Sequence, residues 1–124
     1  MTIGNREIEI ADTTKDNVIE ARVTGKLTES DYDLFIPELE RRIKKYGKLR
    51  MLIELEDFKG WTAGALWEDL KFDFRHFHDV DRIALVGDSK WEKTATLFSR
   101  PFTGAELRYF TRDDLDGARR WIRE

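Results

Sequence analysis

Two neighbouring histidines are the first residues whose types could carry chemistry. His76 and His78 are the only histidines of the chain, and Asp73, Asp79 and Asp81 lie around them. Imidazole and carboxylate groups are common zinc ligands, so a metal site has to be considered. Residues two positions apart on a helix do not share a face, and no third ligand motif follows. We therefore predict no metal site and expect a histidine near a helix end to interact with the helix dipole.

Carboxylates near a predicted strand end are the next candidates. Glu54, Glu56 and Asp57 lie on or just after that strand, where exposed and solvated acids are the ordinary finding. No nucleophile, base and orienting group can be assembled from nearby positions, and neither a glycine-rich dinucleotide motif nor a Walker motif occurs. We expect no catalytic residues and no cofactor. An enzyme that uses Asp57, Thr62 or His76 is the least favoured hypothesis.

Aromatic residues are concentrated in one part of the chain. They lie in the second and third predicted helices and in their entry loops: Phe58, Trp61, Trp67, Phe72, Phe74, Phe77, Trp91, Phe98 and Phe102. A large aromatic core explains these residues about as well as a ligand site does. Trp61, Phe72 and Trp91 fall outside the predicted inward stripes or in loops, so apolar surface is expected near the strand ends. Such surface is typical of a binding groove or a membrane or protein contact.

Length and composition narrow the class of protein. A chain of 124 residues is expected to form a single domain, residues 1–124, without help from metals or disulfides. The chain has no cysteine, which favours a reducing cytoplasm. No export signal and no apolar run long enough to span a bilayer are found. Since 22 basic and 25 acidic residues are interspersed, nucleic acid is not an expected partner.

Hydrophobic patterns predict five strands and four helices. The strands are Glu7–Ala11, Val18–Thr24, Leu49–Leu55, Asp81–Gly87 and Glu106–Phe110. The first helix is expected to begin around 28–31 and to end at Gly47. Its apolar face contains Tyr32, Phe35, Ile36, Leu39, Ile43 and Tyr46.

The other three helices are predicted from their caps and apolar stripes. The second begins near Thr62, with a stripe made of Ala63, Leu66, Trp67, Leu70, Phe74 and Phe77. The third runs from a capping box at Ser89 and Glu92 to about Phe98. The fourth follows a similar capping signature at Thr111 and Asp114, and its inner face contains Leu115, Ala118 and Ile122.

The resulting order of elements is β-β-α-β-α-β-α-β-α. Alternating strands and helices indicate an α/β fold with a mainly parallel five-stranded sheet, four helices and an antiparallel first strand. Ligands of open α/β sheets bind beyond the carboxyl ends of the strands. Here that edge is predicted at Asp57–Gly64, Gly87–Trp91 and Phe110–Arg112.

Several segments resemble the SpoIIAA-like family of bacterial proteins. They are Leu52–Phe58, Gly60–Thr62, Leu66–Asp69, Val86–Lys93, Arg108–Phe110, Asp113–Leu115 and Ala118–Trp121. The resemblance covers nearly the whole chain. It implies a STAS-type fold, which is shared with anti-sigma factor antagonists and is broadly akin to the lipid-carrying CRAL-TRIO domains.

One segment departs from the pattern of the antagonists. Their Asp-Ser-Ser-Gly-Leu segment carries a phosphorylated serine at a helix start, and it corresponds here to Thr62–Leu66. Neither serine is present. Thr62 is more simply explained as a helix N-cap than as a phosphate acceptor, so partner switching by serine phosphorylation is not expected.

The leading hypothesis is a non-enzymatic module that binds a small nonpolar or amphipathic ligand. The ligand would lie between the sheet and the second and third helices, which would act as a lid. The ligand-binding residues are predicted to be Trp61, Leu66, Trp67, Leu70, Lys90, Trp91 and Phe98. Lys90 and the first amides of the third helix would attract a carboxylate or phosphate, while the others form apolar walls.

Basic residues near these walls suggest a membrane contact as well. They are Lys59, Lys71, Arg75, Lys90, Lys93 and Arg100, and each could meet an anionic head group. We therefore expect a cytoplasmic protein that can associate with the inner membrane face. The alternative is a protein–protein regulatory module that docks a protein partner, or a second copy of the chain, without a serine switch.

Overall fold

A computed structural model describes residues 8–10, 17–76, 78–87 and 105–124 of the chain. Its elements in chain order are β1 (Ile8–Ile10), β2 (Val18–Leu27), α1 (Glu29–Tyr46), β3 (Leu49–Trp61), α2 (Ala63–Arg75), β4 (Val80–Gly87), β5 (Glu106–Thr111) and α3 (Leu115–Arg123). A short 3-10 helix, Arg112–Asp114, joins β5 to α3. The strands lie in one sheet in the order β1-β2-β3-β4-β5.

The predicted α/β class with a mainly parallel sheet is confirmed. Four parallel strands, β2 to β5, form the body of the sheet, and the three-residue β1 pairs antiparallel with β2. The described residues form three α-helices, whereas four were predicted. The missing one is the predicted helix from Ser89 to Phe98, which lies outside the described residues.

Strands β2 and β3 are longer than predicted. They were expected to end at Thr24 and Leu55, but they continue as a paired ribbon to Leu27 and Trp61. The pairing shifts on both sides of Gly25, and Asp57 and Gly60 have positive φ angles of 50° and 99°. Residues with positive φ at such register shifts are typical of a β-bulge, which bends a strand without ending it. The predicted loop after Leu55 is therefore partly strand.

Helix α1 follows its predicted pattern closely. Asp31 Oδ2 accepts hydrogen bonds from the backbone nitrogen (2.7 Å) and hydroxyl (3.0 Å) of Thr28, which fixes the start of the helix. At the other end Gly47, with φ of 91°, donates to the carbonyl of Ile43. The predicted face from Tyr32 to Leu39 is buried. Tyr46, in the last turn of the helix, is exposed instead.

Two hydrophobic clusters lie on opposite faces of the sheet. Helices α1 and α2 cover one face, where alternate residues of β2 such as Ile19 and Ala21 point. Helix α3 covers the other face. This second cluster contains Val18, Leu52, Ala84, Val86, Phe110, Ala118, Trp121 and Ile122. Helix α2 therefore packs on the sheet beside α1.

Helix α3 has the predicted inner face but a different start. Ala118 and Ile122 are fully buried, as expected, and Trp121 joins them. The predicted capping box is wrong: neither Thr111 nor Asp114 makes a side-chain cap bond, because a turn of 3-10 helix separates them. At the C-terminal end of α3, two guanidinium groups donate hydrogen bonds to backbone carbonyls. Arg82 donates to the carbonyl of Trp121 at 2.7 Å, and Arg50 donates to the carbonyl of Ile122 at 3.2 Å.

Glu38 on α1 lies between two guanidinium groups. Burial by itself raises the pKa of this carboxyl. Hydrogen bonds from Arg41 (2.6 Å) and Arg42 (3.0 Å) together outweigh burial and hold the pKa of Glu38 below its ordinary value. An acid whose pKa is lower in the folded chain stabilises the fold above its unfolded pKa. This contribution is lost as the pH falls through the folded pKa.

Replacing Glu38 with glutamine is expected to lower the free energy of unfolding at neutral pH by up to about 1 kcal/mol, because the largely exposed Arg41 pair is screened by water. The difference in the free energy of unfolding between the variant and the original protein should shrink in acid, because Glu38 is then uncharged as well. Urea denaturation at neutral and acidic pH measures both values. A difference that stays constant over this range would contradict the assignment.

Candidate functional site

Helix α2 begins at a cap that the sequence predicted. The hydroxyl of Thr62 accepts a hydrogen bond from the backbone nitrogen of Ala65 at 3.1 Å. The backbone nitrogen of Thr62 donates to the carbonyl of Leu27 at 2.8 Å, so the end of β2 fixes the position of the cap. The prediction that Thr62 is an N-cap is therefore confirmed.

Replacing Thr62 with alanine is expected to lower the free energy of unfolding by about 1 kcal/mol, because the amide of Ala65 loses its acceptor. A serine at this position keeps the acceptor and should preserve most of the stability. Chemical denaturation of both variants tests this. If alanine and serine lower the free energy of unfolding equally, the methyl group of Thr62 stabilises the fold and the cap hydrogen bond does not.

The buried face of α2 differs from the predicted one. Ala65 and Phe72 enter the core, whereas Leu66 is 36% exposed and Trp67 is 61% exposed. The predicted inward stripe through Leu66 and Trp67 is thus wrong, and Phe72, which was placed outside it, belongs to the core. Successive residues of a helix are separated by 100° around its axis. When Ala65 and Phe72 face the core, the predicted stripe through Leu66 and Trp67 lies on the flank and the outer side of α2. We call Leu66 and Trp67 the Leu66–Trp67 surface.

Charged residues occupy the flank of α2 that faces α1. A methyl group at Gly64 would overlap the carboxylate of Glu29, so the two helix starts approach closely there. At the other end Arg75 lies 3.6 Å from Glu40 of α1. Leu66 lies about 200° around the helix from Gly64. Leu66 is therefore directed away from α1, whereas Trp67 lies only about 60° from Gly64 and is nevertheless largely exposed.

Only part of the predicted ligand site can be placed. Leu66 and Trp67 lie together on α2. The backbones of Trp61 and Leu70 belong to β3 and α2, but their side chains are outside the described part of the structure. The predictions for Lys90, Trp91 and Phe98 also fall outside the described residues. Thus two of the predicted apolar residues are exposed at adjacent positions of α2, and the ligand-binding role of all seven stays a prediction.

His76 lies at the end of α2, as predicted for a histidine near a helix terminus. Its Nε2 is 2.9 Å from Oε2 of Glu40, and its Nδ1 is 2.8 Å from Oδ2 of Asp79. The sequence did not indicate this arrangement, because Glu40 is far away along the chain. Within the described residues, no group of three or more acidic or histidine side chains is arranged to hold a metal ion.

The acids considered for catalysis form surface ion pairs. Arg22 on β2 lies 3.8 Å from Glu54 and also 3.8 Å from Glu56 on the neighbouring β3. Asp57 is exposed where the strand bulges. Glu56 and Asp57 are exposed, as expected for solvated acids, whereas the Glu54 side chain is only 22% exposed.

None of the helices in the described ranges is long and apolar enough to cross a bilayer.

Comparison with known proteins identifies the family. The family profile described as SpoIIAA-like matches residues 18–123. A solved structure of an uncharacterised protein from Shewanella loihica with a SpoIIAA-like fold is 27% identical, with a TM-score of 0.77 over 98% of each chain. No curated protein matches the sequence. Since the profile covers most of the chain and the fold agrees, the chain belongs to the SpoIIAA-like family.

Proposed function

We propose that the protein is a non-enzymatic module that binds a small nonpolar or amphipathic ligand through α2. The observation that carries this proposal is the exposure of Trp67 and Leu66, two large apolar side chains on adjacent positions of one helix. Leaving such groups in water forgoes up to about 2 kcal/mol for each side chain that could be buried. Exposed apolar surface on a small domain tends to mark a contact site.

The chemistry of the Leu66–Trp67 surface favours an amphipathic ligand or a lipid surface. Tryptophan is enriched where an apolar phase meets water, since its ring is apolar and its N–H is polar. Lys71 lies one turn after Trp67, where it pairs with Glu68 at 2.8 Å. A lysine next to an apolar helix face can interact with anionic head groups. We therefore propose a cytoplasmic protein that associates peripherally with the inner membrane face.

The remaining predicted residues complete this proposal. Trp61, Leu70, Trp91 and Phe98 would extend the apolar wall that begins at Leu66, and Lys90 would pair with the anionic group of the ligand. Helix α2, together with the predicted helix from Ser89 to Phe98, would then close over the ligand. Because Ala65 packs α2 against the core, the ligand would contact the exposed flank of α2.

Binding of defined lipids tests the proposal. The purified protein is mixed with vesicles of phosphatidylcholine, with and without an anionic lipid, and with a fluorescent fatty acid. We expect saturable uptake of the fatty acid and stronger co-sedimentation with the anionic vesicles. Absence of both signals, with the protein shown to be folded by circular dichroism, would refute the proposal.

A protein–protein regulatory module is the second candidate. STAS-type folds support a regulatory or binding role, and a largely exposed tryptophan is a typical energetic centre of a protein interface. In this candidate the Leu66–Trp67 surface docks a protein or a second copy of the chain. A stable complex at stoichiometric amounts, with no amphiphile in the purified protein, would favour it over lipid binding.

A further inference from the structure

Three arginines line a shallow depression at the C-terminal end of α3. Arg119, Arg120 and Arg123 surround it together with Glu124, and its volume is about 520 Å³. Successive residues of a helix are 100° apart, so the three arginines lie within about 100° of one another around the helix axis. This arc is on the far side of the helix from the buried Ala118. Three guanidinium groups are therefore gathered on one outward side of α3.

A buried carboxylate holds two of these arginines in place. Nε of Arg119 and Nη2 of Arg123 donate to the two carboxylate oxygens of Glu20, while both arginine side chains stay partly exposed beside the helix. A guanidinium group has five N–H donors. Among the described residues, the Nη groups of Arg119 have no partner. Arg119 thus keeps donors for a ligand while a buried acid fixes its position.

The end of the helix does not account for Arg120. Basic residues are common in the last turn of a helix, because they interact with its dipole. At α3, however, Arg82 and Arg50 already donate to the carbonyls of Trp121 and Ile122. Arg120 is exposed, and it forms no ion pair with any residue that the structure describes. Its guanidinium is therefore available to a ligand.

The charges around the depression are not balanced. The three arginines outnumber the two carboxylates that lie with them, Glu20 and Glu124. Asp116, one turn earlier on α3, does not line the depression and forms no ion pair within the described ranges. Like charges three or four positions apart on a helix repel each other, and Arg123 has this spacing from both other arginines. An anion bound between the guanidinium groups would relieve this repulsion.

Phosphate is the anion that fits this group of donors best. The planar guanidinium fork matches the oxygens of a phosphate group, which carries about −1.5 to −2 charge at neutral pH and three acceptor oxygens. The three arginines can therefore each donate to a different oxygen. A volume of about 520 Å³ is larger than one phosphate ion needs and falls within the range of small-molecule sites, about 300 to 1,000 Å³. The aliphatic parts of the arginines would contact the rest of the molecule.

We propose that Arg119, Arg120 and Arg123 bind the phosphate group of a small soluble molecule, with Glu20 as a positioning residue. This inference goes beyond the proposed function and does not depend on it. Helix α3 and helix α2 pack on opposite faces of the sheet. A bilayer that contacts the Leu66–Trp67 surface therefore lies on the other side of the domain from the three arginines.

Calorimetric titration with pyrophosphate tests the site. The full chain is used at low ionic strength, because salt screens exposed charges. We expect saturable binding of about one pyrophosphate per chain. Arg120→Gln should weaken this binding by about tenfold, the effect of losing one charged hydrogen bond, and Arg120→Lys, which keeps the charge without the fork, should lie between. Absence of binding, or equal affinity of the original protein and Arg120→Gln, would overturn the proposal.

A charge-matched variant separates the site from general attraction of anions. Lys44→Gln removes the same charge at an exposed position of α1, on the other face of the sheet, and should leave pyrophosphate affinity unchanged. Equal weakening by Lys44→Gln and Arg120→Gln would overturn the proposal. Backbone amide shifts on adding pyrophosphate should be largest within residues 116–124. Shifts of equal size in α1 or α2 would contradict the assignment.

Anionic vesicles distinguish a soluble phosphate from a lipid head group. We expect Arg120→Gln to co-sediment with phosphatidylcholine vesicles containing an anionic lipid as strongly as the original protein does. Loss of co-sedimentation in this variant would make a lipid head group the occupant and overturn the choice of a soluble ligand. Because the proposed function is tested through Trp67, either hypothesis can fail while the other stands.

Discussion

Replacing Trp67 with aspartate is expected to weaken binding to anionic vesicles and to the fatty-acid probe by at least about tenfold. Full burial of a large apolar side chain contributes about 1.5 to 3 kcal/mol, and tenfold corresponds to about 1.4 kcal/mol. Because 61% of Trp67 is already exposed, the free energy of unfolding should change by no more than about 0.5 kcal/mol. Vesicle co-sedimentation and urea denaturation of the same preparation measure the two effects.

Leu34 provides a matched control for this experiment. It is an apolar residue of α1 with a comparable exposure of 49%. It lies about 140° around the helix from Glu29, which contacts α2, and so it is on a different face. Leu34→Asp should therefore leave binding unchanged. Equal loss of binding in both variants would point to a nonspecific effect of added charge, and full binding by Trp67→Asp would contradict the proposed surface.

Removing both Arg119 and Arg123 is expected to cause a large loss of stability. These residues of α3 donate to the two carboxylate oxygens of Glu20 on β2, at 3.0 and 3.1 Å. The Glu20 side chain is only 4% exposed, while those of the two arginines are 40% and 41% exposed. Substitution of both arginines by alanine leaves a buried carboxylate without these donors, which should cost about 3 kcal/mol.

Removing the charge of Glu20, and keeping both arginines, should lower the free energy of unfolding by less. Glu20→Gln leaves two arginines that can turn to water, so the expected loss is about 1 kcal/mol. Arg120→Ala serves as the control, because Arg120 is an exposed residue of the same helix and should change stability by no more than about 0.5 kcal/mol. Urea denaturation measures the free energy of unfolding of the double arginine variant, Glu20→Gln and Arg120→Ala. A double variant as stable as Arg120→Ala would show that Glu20 does not depend on these partners.

The sequence predicted the parts of the fold that depend on local signals. Alternating strands and helices, the cap at Thr62 and the end of α1 at Gly47 are all encoded by neighbouring residues. The family resemblance was carried by short segments along the whole chain, and the profile match confirms it. These features need no knowledge of which residues meet in space.

The features that the sequence did not predict depend on distant partners. The inward face of α2 is decided by where α1 and the sheet lie, and helical spacing alone allowed Leu66 and Trp67 to be placed in the core. The second strand was predicted to end at Thr24, whereas pairing with β3 carries it across a bulge at Gly25 to Leu27. The contact between Glu40 and His76 likewise joins residues 36 positions apart.

Native mass spectrometry of the purified protein, followed by organic extraction and identification of lipids, tests the central claim most directly. We predict a bound amphiphile at one per chain that is lost or strongly reduced in Trp67→Asp but retained in Leu34→Asp. A protein free of amphiphile that also fails to take up the fatty-acid probe would contradict the account. If such a protein instead forms a stoichiometric complex with a protein partner, the regulatory module becomes the better explanation of the Leu66–Trp67 surface.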